Sequence, residues 1–464
     1  MAYLNFDTVA AASVRRFSES YRAVHGAYPK CFVLTFGCQQ NVADSEKLSG
    51  MAVEMGYTLT DTPEDATLIL VNTCAIREHA EVKALSIVGQ YKHLREKNPN
   101  LVIGVCGCMV AQEHRREQLK HSYPYVSFIL GTSVLHRLPE RLLRVLTERK
   151  RRFEAAEECV IAEGMPITRE SGYRAWVSIM YGCNNFCSYC IVPYVRGRER
   201  SREPADVIAE VRELVAQGYK DITLLGQNVN SYGRDRADGY DFAKLLAELD
   251  SIEGDFLLRF MTSHPKDASR ALIDVMARGK HIARHFHLPL QSGSDNVLKR
   301  MNRRYDREKY LATLDYMREK IPDIAVTSDI IVGFPGESDA DFDDTLSMLK
   351  RVRFDALYSF IYSPRKGTPA AEMEDQIPRE VQNARFDRLL AMQEGIALSL
   401  NEPLVGKCVR VLCDGPSKTD KGILSGRTSE NKIVFFPDDG TPAGEFIEIK
   451  IDRAAPFALY GKHV

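Results

Sequence analysis

The sequence predicts an α/β chain of three parts: a parallel-sheet domain clad in helices, a (β/α) barrel, and a small all-β barrel at the carboxyl end. Three observations predict it. Short apolar runs alternate with helical stretches from Cys31 to about Leu146. Strand–helix units then continue, about six in roughly 220 residues, as a partial or full barrel requires. From about Pro403 the texture changes to short runs separated by turn residues. The length of 464 residues suits three domains.

Composition narrows the class. The chain is 27% charged and 44% hydrophobic with a formal net charge of −1, and its 30 glycines and 20 prolines are ordinary, so no fibrous or low-complexity class applies. No apolar run is long enough for a membrane span, and residues 1–30 lack the basic-then-apolar plan of a secretion signal. Eleven cysteines in so large a chain are not a small disulfide scaffold, and their odd number leaves a thiol unpaired. A cytoplasmic protein with metal-binding or reactive cysteines is expected.

Elements follow in order. Residues 31–36, 67–71, 101–105 and 126–130 read as strands, each followed by a helix; the first helix runs to about Met55, the second starts near Glu78, and the last spans 133–146. Continuous apolar strands alternating with helices imply a parallel sheet covered on both faces. All its strands point one way, so the loops after the first three share one edge. Cys38, Cys74 and Cys108 each sit in one of those loops. Single free cysteines are often small buried hydrophobes; three at equivalent strand ends favour a metal site. Cys106 competes with Cys108 but falls where the strand is ending.

A second trio is compact. Cys183, Cys187 and Cys190 form CxxxCxxC directly after a strand at 175–180. Thiolates this close can grip three irons of a [4Fe–4S] cube and leave the fourth open. A zinc knuckle wants a fourth Cys or His nearby, and none follows Cys190 closely.

The spacing resembles the radical S-adenosylmethionine (SAM) enzymes, and further motifs resemble the methylthiotransferase family: Gly37-Cys38-Gln39-Gln40-Asn41, Asn72-Thr73-Cys74 through Arg77-Glu78, Gly107-Cys108, 225–230, 287–295 and 328–337, in the family's order from about residue 30 to the end. The resemblance implies a flavodoxin-like amino-terminal domain, a radical-SAM barrel and an OB-like TRAM domain that binds RNA. The expected divisions are an extension 1–28, a domain 29–146 with an auxiliary cluster, a linker 147–168, the barrel 169–400 and the TRAM domain 402–464. It further implies two [4Fe–4S] clusters and two SAM molecules. One SAM methylates sulfur at the auxiliary cluster; the other is cleaved reductively to a 5′-deoxyadenosyl radical. The product is a methylthio group on carbon 2 of N6-isopentenyladenosine at position 37 of tRNA, a reading the wording of 178–198 favours. Sister enzymes acting on threonylcarbamoyl-adenosine or a ribosomal-protein aspartate are the rivals, with a zinc-containing RNA-binding protein in another class. Implied partners are the anticodon stem-loop, an electron donor such as flavodoxin or ferredoxin, and a sulfur and cluster supply system, with the chain a monomer and no membrane involved.

Strands at 222–225, 256–260, 285–288, 324–332 and 357–362 complete the barrel, whose chemistry gathers at the carboxyl ends. Gln227, Asn228, Ser263 and Gln291 stand there as SAM partners, and Gly333 offers close backbone approach. Arg149 to Arg152 read as a solvated linker run. Arg196, Arg198, Arg200 and Arg202 follow the cysteine loop and suggest phosphate contacts. In the tail, nine basic and nine acidic residues balance between 402 and 464, so RNA recognition is expected through stacking, with Phe435, Phe436 and Phe446 the candidates. A radical must be shielded, so the first and last domains are expected to act as a lid.

Overall fold

The computed structural model describes residues 2–76, 78–153, 160–418 and 420–464; Arg77 and the stretch with Glu154 and Cys159 lie outside these. The chain falls into two compact units, one of 1–170 with 181–184 and 191–200, the other of 171–180, 185–190 and 201–464.

In the first unit a parallel sheet has the order Thr58–Leu59, Lys30–Thr35, Leu68–Thr73, Val102–Gly107, Phe128–Leu130. Strand Leu68–Thr73 is buried throughout, and its alternation sorts residues between two cores. Leu68 and Leu70 join Leu48, Met51 and Leu142. Ile69 and Val71 join Val88, Leu94 and Leu119 on the other face. Full burial of each such side chain stabilises by about 1.5–3 kcal/mol.

The residues read as an extension and a linker have partners here. Helix Thr8–His25, capped by the Asp7 carboxylate on the amides of Val9 and Ala10, buries Val14, and Ser18 donates to Met55 O at 2.8 Å. Strand Ala2–Asn5 pairs in parallel with Val160–Glu163. Residues 191–200 belong to this unit although they follow the barrel's cysteine loop. Ile191 and Val195, on either side of the start of helix Val192–Arg196, pack against Ala75 and Cys108.

The second unit holds two three-stranded parallel arrays: Arg174–Ser178, Asp221–Leu225, Leu257–Phe260, and His285–His287, Ala325–Val332, Ala356–Ile361. A parallel bridge between Leu258 and Ile282 joins them, giving six strands around a core that includes Val177, Ile222, Leu258, Phe286 and Val326. The carboxyl region is a closed barrel ordered Cys408–Pro416, Ile423–Arg427, Ile433–Pro437, Ala458–His463, Phe446–Ala455. The sequence reading missed its strand Ala458–His463, whose Gly461 and Lys462 break the apolar alternation.

This small barrel docks at the amino ends of the larger one's strands. Arg174 bridges Asp221 at 2.9 Å and Asp414 at 2.6 Å. Arg259 binds Asp221 at 3.0 Å and donates to Thr428 O at 2.9 Å, and Lys432 pairs with Asp355 at 2.7 Å. The cysteine loop leaves the opposite, carboxyl end. The expectation that the last domain is a lid is therefore corrected: the paired charges at the strand starts fix it to the far side. No helix among the described residues is long and apolar enough to cross a membrane.

Candidate metal-cluster sites

The sheet register brings three loops to one edge. Thr35 pairs with Asn72, and Asn72 and Thr73 pair with Cys106 and Gly107, so Cys38, Cys74 and Cys108 leave neighbouring strands at nearly the same level. Two glycines make the approach possible. A Cβ on Gly37 would lie 2.9 Å from Cys74 Cβ, and one on Gly107 would lie 2.3 Å from Thr73 O; their φ values of +131° and +97° are also glycine's. Behind the loops, Asn41 Nδ2 donates to Thr73 O at 3.0 Å, and Asn72 Nδ2 donates to Asn41 O at 2.8 Å and Ser45 Oγ at 2.9 Å. The Cys38 thiol faces Asn41 Oδ1 at 3.4 Å.

Cys106 and Cys108 separate cleanly. Cys106 points into the core with Cys31 and Leu130, where burial pushes its thiol far up. Cys108 lies past the strand end beside Ala75, Ile191 and Val195. Burial pushes the Cys108 thiol up to about 12, with Arg196 pulling down and Cys74, Cys38 and Asp44 pushing up. Cys38, Cys74 and Cys108 therefore lie within electrostatic reach of one another.

Arg196 is part of this site. Its guanidinium, 4% exposed, pairs with Asp44 at 3.0 Å. Arg200 donates to Arg196 O at 3.2 Å, and Arg202 to Ser178 O at 2.8 Å and Glu210 at 2.7 Å. All three are buried and occupied by protein groups, which corrects their reading as a phosphate-contact patch. The sequence displays charge but not the distant carboxylates that claim it. Arg198 alone of the four is exposed.

The compact trio occupies one loop. Gly182, at φ +78°, has no room for a Cβ, which would meet Arg198 O at 2.0 Å, and Cys183 N donates to Gly197 O at 3.1 Å. Cys187, in the second unit, is 7% exposed and receives a hydrogen bond from Arg303 Nη1 at 3.3 Å. Ser188 N donates to Met301 O at 3.0 Å, and Asn302 Nδ2 donates to Phe186 O at 2.9 Å. Residues 300–303 thus strap the loop. Sequence reasoning missed this segment, because a basic run before a helix ordinarily reads as solvated. Among the described residues no three Cys, His, Asp or Glu side chains are grouped to hold a single ion. That geometry is distinct from the wider spacing of thiolates that each bind a different iron of a cube.

The expected SAM residues stand at strand ends. Asn228 Nδ2 donates to Asp267 at 2.7 Å, leaving its buried Oδ1 without a partner. Ser263 Oγ donates to His287 O. Gln291 is buried with φ +68° and exchanges backbone hydrogen bonds with Asp329 O and Ile331 N. Gln227 follows strand Asp221–Leu225. Gly333 differs from expectation: the space a Cβ would need is filled by Gln382 Cγ at 2.4 Å, so the close approach is made by a protein side chain. In the small barrel, Phe436 is core. Phe446 is half-buried under Arg410, 3.9 Å from its centroid, and Phe435 stacks on Tyr460 with centroids 5.6 Å apart.

Three family models match: the Radical SAM superfamily over 177–349, the uncharacterized protein family UPF0004 over 30–131 and the TRAM domain over 403–464. A tRNA-2-methylthio-N(6)-dimethylallyladenosine synthase of Caldicellulosiruptor saccharolyticus is 48% identical over 99% of this chain and 98% of its own. The same-named protein of Clostridium perfringens is 50% identical over 93% of this chain and 97% of its own. Among solved structures, the radical S-adenosylmethionine methyltransferase TsrM of Kitasatospora setae, with cobalamin and a [4Fe-4S] cluster bound, has a TM-score of 0.55 at 13% identity, covering 74% of this chain and 76% of that one. That last likeness is one of fold.

Proposed function

Because the chain belongs to the tRNA-2-methylthio-N(6)-dimethylallyladenosine synthase family, we propose that it places a methylthio group on carbon 2 of N6-isopentenyladenosine at position 37 of tRNA, in the cytoplasm and as a monomer. The observation that carries the reading is the pair of cysteine trios, each at the carboxyl end of parallel strands in one chain.

Cys183, Cys187 and Cys190 would hold one [4Fe–4S] cluster, and Cys38, Cys74 and Cys108 the other. The donor sets suit such groups: each offers three thiols on loops whose close approach depends on Gly37, Gly107 and Gly182, where a Cβ would collide with a neighbouring loop. Bound there, the clusters supply reductive cleavage of SAM and a site for the inserted sulfur. The protein's own contribution is positioning. Asn41 and Asn72 lock the two loops that carry Cys38 and Cys74, and Arg196 with Asp44 closes the buried side of Cys108. Asn228 Oδ1, buried and unpaired, is a ready acceptor for a ligand donor such as an amino or hydroxyl group of SAM. Gln227, Ser263 and Gln291 lie at neighbouring strand ends. The half-buried Phe435 and Phe446 of the small barrel are candidates for stacking on bases of the anticodon stem-loop. A flavodoxin or ferredoxin would deliver electrons, and a cluster-supply system the sulfur.

The test is nucleoside mass spectrometry of tRNA from cells lacking the chain. Methylthio-isopentenyladenosine should vanish and isopentenyladenosine accumulate, with recovery on re-expression. An unchanged tRNA profile would refute the reading.

A further inference from the structure

Arg303 is a buried cation without a carboxylate. It is 9% exposed, and its hydrogen bonds go to Tyr305 Oη at 3.0 Å, Pro289 O at 3.1 Å, Cys187 Sγ at 3.3 Å and Tyr189 Oη at 3.4 Å. Its carbon Cζ sits 5.1 Å from the Tyr305 ring centroid. Among the described residues no Asp or Glu pairs with it, whereas Arg196 has Asp44 and Arg385 has Glu337. A guanidinium does not lose its proton in a protein, and an unpaired buried charge is costly, so the pocket needs an anion. Its other partners are two phenol hydroxyls and a backbone carbonyl, none of them an anion at neutral pH. The remaining partner able to carry negative charge is the sulfur of Cys187.

We propose that Arg303 is the counter-charge of the compact cluster, a positioning residue that holds the Cys187 thiolate in place and raises the cluster's reduction potential. The inference rests on the assignment of Cys183, Cys187 and Cys190 as cluster ligands. Its physics is general: reduction adds a negative charge to the cluster, and a fixed cation hydrogen-bonded to a ligating sulfur favours the reduced form. The arrangement suits a cluster that must accept an electron in a low-dielectric pocket, where an exposed lysine would be screened by water.

The test uses the full chain with Cys38, Cys74 and Cys108 replaced by alanine, so that one cluster remains, reconstituted anaerobically. Iron content and the midpoint potential, from a redox titration followed by electron paramagnetic resonance, are compared for this parent, R303K, R303M and the exposed neighbour R304M. R303K and R304M should load about four irons and titrate close to the parent. R303M should either fail to load iron or, once loaded, show at least a tenfold lower ratio of reduced to oxidised cluster at fixed poise, about 59 mV for one electron. The proposal is overturned if R303M loads four irons at the parent's potential, or if folded R303K, which keeps the charge, cannot load. If the parent itself binds no iron, it is the ligand assignment that fails and not the role of Arg303.

Discussion

The two cysteine trios reach their places by opposite routes. Cys38, Cys74 and Cys108 are spread over seventy residues, and only the register of a finished sheet brings their loops together. Cys183, Cys187 and Cys190 lie within eight residues, so chain connectivity alone keeps them near. What the folded structure adds differs accordingly. The first trio needs glycines that let backbones touch and an asparagine network that locks neighbouring loops. The second needs a strap, residues 300–303, and a cation for one sulfur. The dispersed site is therefore hostage to packing, and the compact one to the charges around it.

The largest effect that separates them comes from removing the ligands. Replacing Cys183, Cys187 and Cys190 with alanine should abolish SAM cleavage, measured as 5′-deoxyadenosine. Replacing Cys38, Cys74 and Cys108 should spare cleavage and stop methylthio transfer. Loss of cleavage in the second, folded variant would erase the division of labour.

Next come the glycines. Gly107→Ala puts a Cβ 2.3 Å from Thr73 O at φ +97°, a backbone strain of about 1–3 kcal/mol before the collision is counted. It should lower iron by about four per chain, one cube, with cleavage retained. Gly182→Ala, whose Cβ meets Arg198 O, should do the reverse. Iron analysis beside a cleavage assay checks both, and equal loss of the two activities in either variant would break the comparison.

A smaller contrast lies in the asparagines. Asn41→Ala strips donors from Thr73 O and from Asn72 Oδ1, both buried, and should cost about 1–3 kcal/mol in denaturant unfolding. Asn302→Gly keeps the left-handed backbone, φ +56°, and removes a hydrogen bond of 2.9 Å to Phe186 O and a longer one of 3.5 Å to Asn185 O, about 0.5–1.5 kcal/mol. The order should not invert.

Much of this was legible in the sequence. Alternating apolar strands and helices yield the parallel sheet, the glycine before Cys108 marks it as loop while Cys106 stays in the strand, and the compact spacing reads directly. What escaped was what depends on distant partners. Arg196, Arg200 and Arg202 read as a basic patch because charge is visible locally, whereas Asp44 and Glu210, which bury them, are distant or belong to the next helix. Gly333 read as a ligand-facing glycine until Gln382, almost fifty residues on, proved to fill its space. The docking of the small barrel through Asp221, Asp355 and Asp414 likewise has no local signature.

The claim that each trio holds its own cube is tested most directly by iron counted per folded chain after anaerobic reconstitution. About eight irons are expected in the native chain and about four in each triple-alanine variant. Four in the native chain, or eight in either variant, would contradict it.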